Sequence, residues 1–212
     1  MNWKKECLRN FKLYAITDLK EEDPRVVSQI TGALRGGVDI IQLRSKTLSD
    51  RTLLVLGKKI RRVTRSLKKI FIINDRIDLM LAIDADGVHL GQEDLPIGIA
   101  RRMIGNRDKI IGCSTHNLEQ AIAAKHEGAD YIGFGPIFRT PTKSNYQPVG
   151  LEAIRKVVEC ARIPVVCIGG IDSTNINQVM SAGATRIAVV RAIFSAKNSY
   201  QAARELRGVV ER

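Results

Sequence analysis

Short apolar segments alternate with longer amphipathic segments along the chain. Eight of the apolar segments have the β-branched and aromatic character that is typical of buried strands. These predicted strands cover residues 12–18, 39–44, 70–75, 87–90, 110–114, 131–135, 164–168 and 186–190. Each is followed by a stretch in which apolar residues recur at helical spacing. The pattern therefore predicts eight successive strand–helix units, preceded by a short N-terminal helix.

Capping signals mark where several of the predicted helices begin. Asp23 and Pro24 precede the first of them, and Ser49 precedes the second. Asn117 and Gln120 have the spacing of a capping pair, in which the two side chains bond to backbone N–H groups of the first turn. We therefore expect helices to begin at these positions.

Eight strand–helix units without an intervening linker favour one closed parallel barrel. We expect a single (β/α)8 TIM barrel over residues 1–212, close to the lower length limit of roughly 200 residues for this fold. The alternative is a doubly wound open sheet. Its dinucleotide signature, Gly-x-Gly-x-x-Gly after the first strand, is absent from the sequence.

The chain is strongly basic, with 34 basic and 22 acidic residues and a net charge of +12. The densest basic stretch is residues 58–69, where Ile60, Val63 and Leu67 recur at helical spacing, so its cations occupy the outer face of a helix. Aromatic residues are scarce and are not interleaved with this stretch, which argues against single-stranded nucleic acid. We expect no nucleic-acid partner, and a positive field that attracts small polyanionic substrates.

Cysteine spacing and hydropathy indicate the compartment. Cys7, Cys113, Cys160 and Cys167 show no close pairing, so we expect neither a disulfide framework nor a metal cluster. No apolar run approaches the ~20 residues of a membrane span. The first residues also lack the apolar core of an export signal. These features predict a cytoplasmic protein with no membrane partner.

Residues suited to binding charged ligands follow the predicted strands at their carboxyl ends, where (β/α)8 barrels place their active sites. Chance could explain one or two such strand ends, but it does not explain why almost every predicted strand ends in this way. The residues are Gln42, Arg44, Lys46, Asn74, Asp75, His89, Asp94, Ser114, His116, Thr140, Thr142, Lys143, Gly169, Gly170, Val190 and Arg191.

The segment 131–143 is the most informative of these strand ends. Its apolar run breaks at Gly135 and opens into a loop that carries Thr140, Thr142 and Lys143. Hydroxyl and ammonium donors after a buried strand are typical of phosphate sites in α/β proteins. The alternative is a surface turn with a solvated lysine. The similar ends of the other strands favour the phosphate site.

The charged residues divide into a metal site and an anion site. Asp75 and Asp94 end adjacent predicted strands, and two carboxylates with phosphate oxygens and water form a suitable shell for Mg²⁺. Each acid taken alone is more simply a helix cap or a loop residue, but the pair favours the metal. Arg44, Lys46 and Lys143 then fit a diphosphate beside that ion.

Two glycines after the seventh strand indicate a second anion site. Gly169 and Gly170 allow backbone N–H groups to approach a phosphate, in the region where barrels often bind one. A simple turn is the alternative. His89 and His116 show no Ser or Cys nucleophile motif around them, and no zinc-ligand spacing is present. We interpret His89 as a hydrogen-bonded core or rim residue.

These motifs resemble the thiamine phosphate synthase family in order along nearly the whole chain. The most specific are Gly-Gln-Glu-Asp at residues 91–94 and Thr-x-Thr-Lys at residues 140–143. The others are Tyr-Ala-Ile-Thr-Asp at 14–18, Gln-Leu-Arg-Ser-Lys at 42–46, Asn-Asp at 74–75, Gly-Val-His-Leu at 87–90, Gly-Pro-Ile-Phe at 135–138 and Ile-Gly-Gly-Ile at 168–171. The family joins a hydroxymethylpyrimidine diphosphate to a thiazole phosphate with magnesium, and it releases pyrophosphate.

The resemblance implies a role for each of these residues. It implies that Asp75 and Asp94 hold Mg²⁺, and that Arg44, Ser114 and Lys143 take part in catalysis. The residues implied to bind the pyrimidine diphosphate are Gln42, Arg44, Lys46, Asn74, Ser114 and Lys143. The residues implied to bind the thiazole phosphate are Thr140, Thr142, Gly169, Gly170, Val190 and Arg191.

Two residues depart from the family pattern. Members often have Glu at the position of Ser45 and Ser at the position of Arg191, and arginine binds phosphate more strongly through its paired donors. The alternatives are a thiazole tautomerase-like relative, a non-catalytic barrel that binds phosphorylated ligands, and a basic RNA-binding barrel. A tautomerase would not need Asp75 and Asp94. Barrels of this kind often associate, so a homo-oligomer is also an open alternative.

Overall fold

Short parallel strands and helices alternate along the chain. The computed structural model describes residues 3–105, 107–141 and 146–211. Within them the strands are β1 Leu13–Ile16, β2 Ile40–Leu43, β3 Ile70–Asn74, β4 Gly87–Leu90, β5 Ile110–Thr115, β6 Tyr131–Phe134, β7 Val165–Ile168 and β8 Ile187–Val189. Every predicted strand is present, and its ends lie within one or two residues of the prediction.

Helices precede and follow these strands. Within the described ranges they are α1 Trp3–Asn10, α2 Val26–Arg35, α3 Asp50–Ser66, α4 Ile77–Ile83, α5 Ile97–Ile104, α6 Leu118–His126, α7 Ile154–Ala161, α8 Ile176–Ser181, α9 Arg191–Phe194 and α10 Ser199–Val210. The one-turn helix α9 was not predicted, because four residues are too few to show a period. None of the described helices has both the length and the apolar character that crossing a membrane requires.

The strands close on themselves in sequence order. Strand β1 pairs in parallel with β2 on one side, where Tyr14 lies opposite Ile40. On its other side β1 pairs in parallel with β8, where Tyr14 lies opposite Ala188. A closed parallel sheet with a helix after each strand is the (β/α)8 TIM barrel. The predicted fold is therefore confirmed, and the open doubly wound sheet is excluded.

Side chains along each strand alternate between the surrounding helices and the barrel interior. Outward residues such as Ile41, Phe71 and Ile132 pack beneath the helices in the larger core. Inward residues form a second, smaller core that includes Tyr14 and Tyr131. Within this mostly aliphatic inner core, the two phenols introduce polar groups into the barrel interior below its carboxyl end.

The N-terminal segment closes the amino end of the barrel. Leu8 of α1 and Phe11 just after it belong to the inner core, and Phe11 is 2% exposed. The ring of Phe11 meets Tyr14 and Tyr131 edge-on, with centroid separations of 6.4 and 6.3 Å. The described side chains fill this end of the barrel, so open space for a ligand lies toward the opposite end.

Helix caps confirm two predicted starts and correct one. Ser49 accepts a hydrogen bond from the first turn of α3, and Asn117 Oδ1 accepts one from the backbone of Gln120 at 2.8 Å. Helix α2 instead begins after Arg25, which provides no side-chain cap. Asp23 accepts the Arg25 backbone N–H at 2.8 Å within the preceding turn. The predicted start at Asp23 was therefore about two residues too early.

Candidate active site

A cavity of about 300 Å³ opens inside the barrel mouth at the carboxyl ends of the strands. Most of the residues predicted to bind ligands line it. They are Gln42, Arg44, Asn74, Ser114, Thr140, Gly169, Gly170, Val190 and Arg191. An adjoining cavity of about 220 Å³ is lined in part by Lys46, Asn74 and Asp75. The strand ends thus converge on one rim, as the sequence predicts.

A chain of hydrogen bonds forms the floor of the larger cavity. Nε2 of Gln42 donates to Oη of Tyr14 at 2.7 Å, and that oxygen lies 2.9 Å from Oη of Tyr131. On the other side, Nδ1 of His89 lies 3.0 Å from Oη of Tyr131, and its Nε2 lies 3.0 Å from Oγ of Ser114. His89 was interpreted as a hydrogen-bonded core or rim residue, and the structure shows it hydrogen-bonded and half-buried at the cavity.

Glycines in two strands provide space for the rings of this floor. A Cβ at Gly112 would lie 2.1 Å from Cζ of Tyr131 on the neighbouring strand. A Cβ at Gly133 would lie 3.4 Å from Cε1 of His89, which is ordinary contact. Gly112 is therefore required by the position of the Tyr131 ring, whereas a Cβ at Gly133 would be accommodated beside His89.

Arg44 is fixed at the mouth by the end of β1. Its backbone N–H donates to Oγ1 of Thr17 at 2.9 Å, and that hydroxyl donates to the Arg44 carbonyl at 3.0 Å. The guanidinium of Arg44 forms an ion pair with Asp18, and only 11% of the side chain is exposed. Since a guanidinium has five N–H donors, pairing with one carboxylate leaves donors for an anionic ligand.

Two carboxylates and an ammonium group meet at the edge of the cavity. Asp75 accepts a hydrogen bond from Nζ of Lys46 at 2.6 Å, and the Asp94 carboxyl lies within hydrogen-bonding reach of it. Burial raises the pKa of Asp75, the Lys46 ammonium opposes that rise, and the Asp94 carboxylate adds to it. The backbone of Asp75 is left-handed, with φ of 59°. Such non-glycine conformations are concentrated at turns and functional sites.

This donor set fits Mg²⁺. In the described part of the chain, no group of three or more His, Cys, Asp or Glu side chains is arranged to hold a metal. Magnesium needs only one or two protein carboxylates, because substrate phosphates and water complete its octahedral shell. Asp94 is oriented by the Gly91 backbone, whose N–H donates to its Oδ2 at 2.6 Å. Asp75 and Asp94 are therefore the residues that would hold this ion.

The loop after β6 borders the cavity with Thr140. Thr142 and Lys143 lie outside the described residues, so their roles stay predictions. Where the described chain resumes, the ring of Tyr146 stacks on His116, with centroids 4.2 Å apart and planes at 22°. His116 follows β5, so this contact ties the end of the loop to the rim of the cavity.

Gly169 and Gly170 both have left-handed backbones, with φ of 104° and 66°. A Cβ at Gly169 would lie 2.5 Å from Pro136, and one at Gly170 would lie 2.8 Å from Phe138. The loop after β7 therefore packs directly on the loop after β6. This packing alone requires glycine at both positions, and the pair also lines the cavity where a second phosphate was predicted.

Val190 and Arg191 lie at the junction of β8 and α9, on the cavity wall. Asp172, in the loop after β7, lines the same wall. Hydrogen bonds from Thr174 lower the pKa of Asp172, and the positive charge of Arg191 adds to this effect. The departure from the family pattern at Arg191 thus lies on the cavity wall, near enough to Asp172 for its charge to act on that carboxyl group.

Several features of the site were not predicted from the sequence. Asp172 on the cavity wall and the stacking of His116 on Tyr146 depend on how loops meet, which no local pattern reveals. The phenols of the floor did leave a signal. Tyr14 lies opposite Ile40, two residues before Gln42, so alternation along β2 places Tyr14 on the same inner face as Gln42.

Together these features define a (β/α)8 barrel whose mouth carries cationic side chains and a carboxylate pair suited to Mg²⁺. Comparison with known proteins identifies the family. The family model described as thiamine monophosphate synthase matches residues 13–193. The chain belongs to this family, and the resemblance noted in its sequence is confirmed.

Individual relatives agree with this assignment. The thiamine-phosphate synthase of Pyrococcus furiosus is 45% identical over 207 residues, which cover 96% of this chain and 97% of the relative. The thiamine-phosphate synthase of Synechocystis sp. is 45% identical over 199 residues, but the chain spans only 57% of that protein's length. A solved structure of thiamine phosphate pyrophosphorylase from Pyrococcus furiosus matches with a TM-score of 0.87 and 41% identity, covering 98% of each chain.

Proposed function

We propose that this protein is a thiamine-phosphate synthase, which joins a hydroxymethylpyrimidine diphosphate to a thiazole phosphate and releases pyrophosphate. Membership of the family supports this activity. So does the similarity to the synthase of Pyrococcus furiosus, which extends over nearly the full length of both chains. The activity also agrees with the chemistry of the cavity.

The observation that carries the proposal is the group of charges at the cavity edge. Asp75 and Asp94 lie together beside Lys46, and Arg44 lies on the neighbouring wall. Lys46 offsets only part of the cost of placing Asp94 against Asp75, so the carboxylate pair still favours a further cation, and the positive charges of Arg44 and Lys46 favour an anion beside it. A magnesium diphosphate satisfies both requirements at once.

The pyrimidine diphosphate binds, in this proposal, over the polar floor of the cavity. Gln42 and Asn74 face the ring, and Ser114 with Arg44 and Lys46 contacts the diphosphate. Lys143 contributes a further positive charge from the loop after β6. The buried floor excludes water from the reacting methylene group. Water would otherwise attack the methylene carbon and give the pyrimidine alcohol in place of the product.

The thiazole phosphate occupies the opposite wall. Thr140 and Thr142 bind its phosphate from the loop after β6. The loop of Gly169 and Gly170 and the Val190–Arg191 junction also bind it. Fixing this phosphate positions the ring nitrogen against the methylene carbon, so that the second reactant is already in place.

The reaction exchanges one bond for another. The C–O bond between the pyrimidine methylene group and the diphosphate breaks, and its electron pair leaves with pyrophosphate. The thiazole nitrogen then forms the new C–N bond with its lone pair, so no protein nucleophile is needed. Arg44, Lys46, Lys143 and Ser114 stabilise the charge that develops on the leaving group. Magnesium, when bound, neutralises part of that same charge.

The experiment that tests this function is pyrophosphate release by the purified protein. Release is expected only with both substrates and magnesium, and EDTA is expected to abolish it. Asp75→Asn is expected to lose activity. Asp78→Asn is the matched control, because Asp78 is largely exposed and its partner Arg76 keeps a second carboxylate.

Two other results would contradict the proposal. Release of pyrophosphate that persists in EDTA would remove magnesium from the reaction. No release by a folded protein would instead favour the tautomerase-like relative or a barrel that binds phosphorylated ligands without turning them over.

A further inference from the structure

A continuous hydrogen-bonded chain connects two candidate ligand-binding residues on opposite sides of the barrel. It starts at Gln42 on β2, passes through Tyr14, Tyr131 and His89, and ends at Ser114 on β5. The family resemblance gives roles to the two ends of this chain only. The three central residues come from β1, β6 and β4, so the chain crosses the whole barrel interior.

The centre of this chain is shielded from water. Gln42 and Tyr14 are each 1% exposed, and Tyr131 is fully buried. Leaving a buried hydroxyl without a partner costs roughly 1–3 kcal/mol, so each of these groups keeps its hydrogen bonds. Phe11 packs under both phenols, and Gly112 leaves room for the Tyr131 ring above it. The chain is therefore held in one arrangement.

The phenols in the chain remain protonated near neutral pH. Burial raises the pKa of Tyr14, and burial is also the main cause that raises the pKa of Tyr131. A neutral phenol has one hydrogen to donate and an oxygen that accepts. Each of the two tyrosines can therefore accept from one neighbour and donate to the next.

The direction of the chain follows from Gln42. Its Nε2 only donates, so Tyr14 accepts that bond. The buried hydroxyl hydrogen of Tyr14 then needs an acceptor of its own, and the Tyr131 oxygen at 2.9 Å provides one. In this direction the Tyr131 hydroxyl donates to Nδ1 of His89, which lies 3.0 Å away. In a neutral imidazole one nitrogen accepts and the other donates, so Nε2 of His89 carries the proton. That proton points at Oγ of Ser114.

This direction determines what Ser114 offers to a ligand. Because its Oγ accepts from His89, its own hydrogen is available to donate into the cavity that Ser114 lines. In the reverse direction Ser114 would donate to His89 and present only lone pairs to the ligand. A diphosphate is bound by donors, not by lone pairs.

We propose that Tyr14, Tyr131 and His89 are positioning residues that fix Ser114 as a hydrogen-bond donor to the leaving diphosphate. The inference rests on the proposed function, since it assigns the ligand of Ser114. A donor oriented in advance toward developing charge lowers the barrier of the reaction. Polarisation along a chain of hydrogen bonds strengthens the last donor. The effect falls on kcat, because the charge on the leaving group develops only as the C–O bond breaks.

The first test reads the tautomer of His89 by ¹⁵N NMR. The chain contains three histidines, and loss of one set of signals in His89→Asn assigns its resonances. We expect Nδ1 without a proton and Nε2 with one, at neutral pH. A proton on Nδ1 would overturn the proposal. This measurement needs no substrate, so its result does not depend on the proposed reaction.

The second test is kinetic and uses a double-mutant cycle. Tyr131→Phe removes the hydroxyl and keeps the ring, and we expect kcat to fall roughly tenfold. In a Ser114→Ala background the same substitution is expected to change kcat no further, because its effect passes through Ser114. Tyr200→Phe, at a 40% exposed position on α10, is the control and should leave kcat unchanged.

The outcomes of this cycle separate the two proposals. A tenfold fall that persists in the Ser114→Ala background would mean that Tyr131 acts only through the structure of the barrel, which overturns the positioning role. Loss of every activity in the unaltered protein would instead contradict the proposed function. In that case the tautomer of His89 still decides whether the chain has the inferred direction.

Discussion

Aspartates occur at both ends of the barrel, but their surroundings differ. At the amino end, Asp86 is fully buried and accepts two hydrogen bonds from the guanidinium of Arg61, at 2.7 and 3.0 Å, and one from the backbone of Phe71 at 3.0 Å. At the carboxyl end, Asp75 has one cation, Lys46, and a second carboxylate, Asp94, as neighbours. The negative charge of Asp86 is fully compensated by groups of the protein, whereas that of Asp75 is compensated only in part.

A second aspartate at the amino end repeats this arrangement. Asp39 accepts backbone N–H groups of Lys12 and Leu13 at 2.8 and 3.2 Å, and it also pairs with Arg207 at 2.5 Å. The amino end thus uses charge to hold the chain together. At the carboxyl end, Asp75 lies against a second carboxylate, Asp94, and the Lys46 ammonium offsets only part of the cost of that contact. The difference separates the structural end of the barrel from the functional one.

The largest expected effect comes from breaking the buried pair at the amino end. Asp86→Ala leaves Arg61 buried without its partner, and we expect the free energy of unfolding to fall by about 3–5 kcal/mol. Urea denaturation measures this loss. Asp78→Ala is the control, because Asp78 and its partner Arg76 are both largely exposed, at 63% and 42%, and the loss of this pair should cost below about 1 kcal/mol. Equal losses in the two variants would contradict the structural role of Asp86.

A slightly smaller effect, on activity instead of stability, is expected at the carboxyl end. Arg44→Ala should lower kcat/KM by about 10²–10³, because it removes a preorganised charge from the diphosphate site. Steady-state pyrophosphate release measures the change. Arg25→Ala, in an exposed pair with Asp23, is the matched control and should have normal kinetics. Normal kinetics in Arg44→Ala as well would remove Arg44 from the site.

A third substitution tests the floor that lies between the two ends. Gly112→Ala places a Cβ 2.1 Å from the Tyr131 ring, so we expect a loss of about 1–3 kcal/mol of stability through overpacking. Gly133→Ala, whose nearest contact would be 3.4 Å, should cost less. Thermal unfolding of both variants gives the comparison. A larger loss in Gly133→Ala would show that the ring of Tyr131 is not the constraint on β5.

The smallest expected effect comes from a substitution at the carboxyl end of the barrel but outside the cavity. Ser49 caps α3 at the carboxyl end, outside the cavity. Ser49→Ala should cost about 1 kcal/mol of stability and leave kcat/KM unchanged. Denaturation and pyrophosphate release on the same sample check both. A fall in activity without a fall in stability would mean that the functional region extends beyond the cavity.

Much of this comparison was predictable from the sequence, for a physical reason. The alternation of apolar and polar residues depends on local geometry. The eight strands, and the polar residues at their carboxyl ends, can therefore be recognised from the sequence alone. Asp75 and Asp94 were predicted to meet because adjacent parallel strands end at one edge. Their contact in the structure is consistent with that prediction, although the metal itself stays a proposal.

The remaining features depend on contacts that have no local signature. The Asp86–Arg61 pair joins a loop to a helix 25 positions earlier, and a charged residue in an amphipathic helix is normally solvated. The pairing of Arg44 with Asp18 likewise depends on how two loops meet after closure. Gly169 and Gly170 were interpreted as a phosphate-binding turn, whereas packing on Pro136 and Phe138 already requires them.

One matched pair of variants tests the division between the two ends most directly. Asp94→Asn and Asp39→Asn each remove one negative charge and keep the shape of the side chain. We expect Asp94→Asn to abolish magnesium-dependent pyrophosphate release while stability is unchanged or higher, because repulsion with Asp75 is relieved. We expect Asp39→Asn to lower stability by about 2–3 kcal/mol and to keep normal kcat/KM below its melting temperature. The opposite result, with an unstable Asp94→Asn and an inactive but stable Asp39→Asn, would contradict the account.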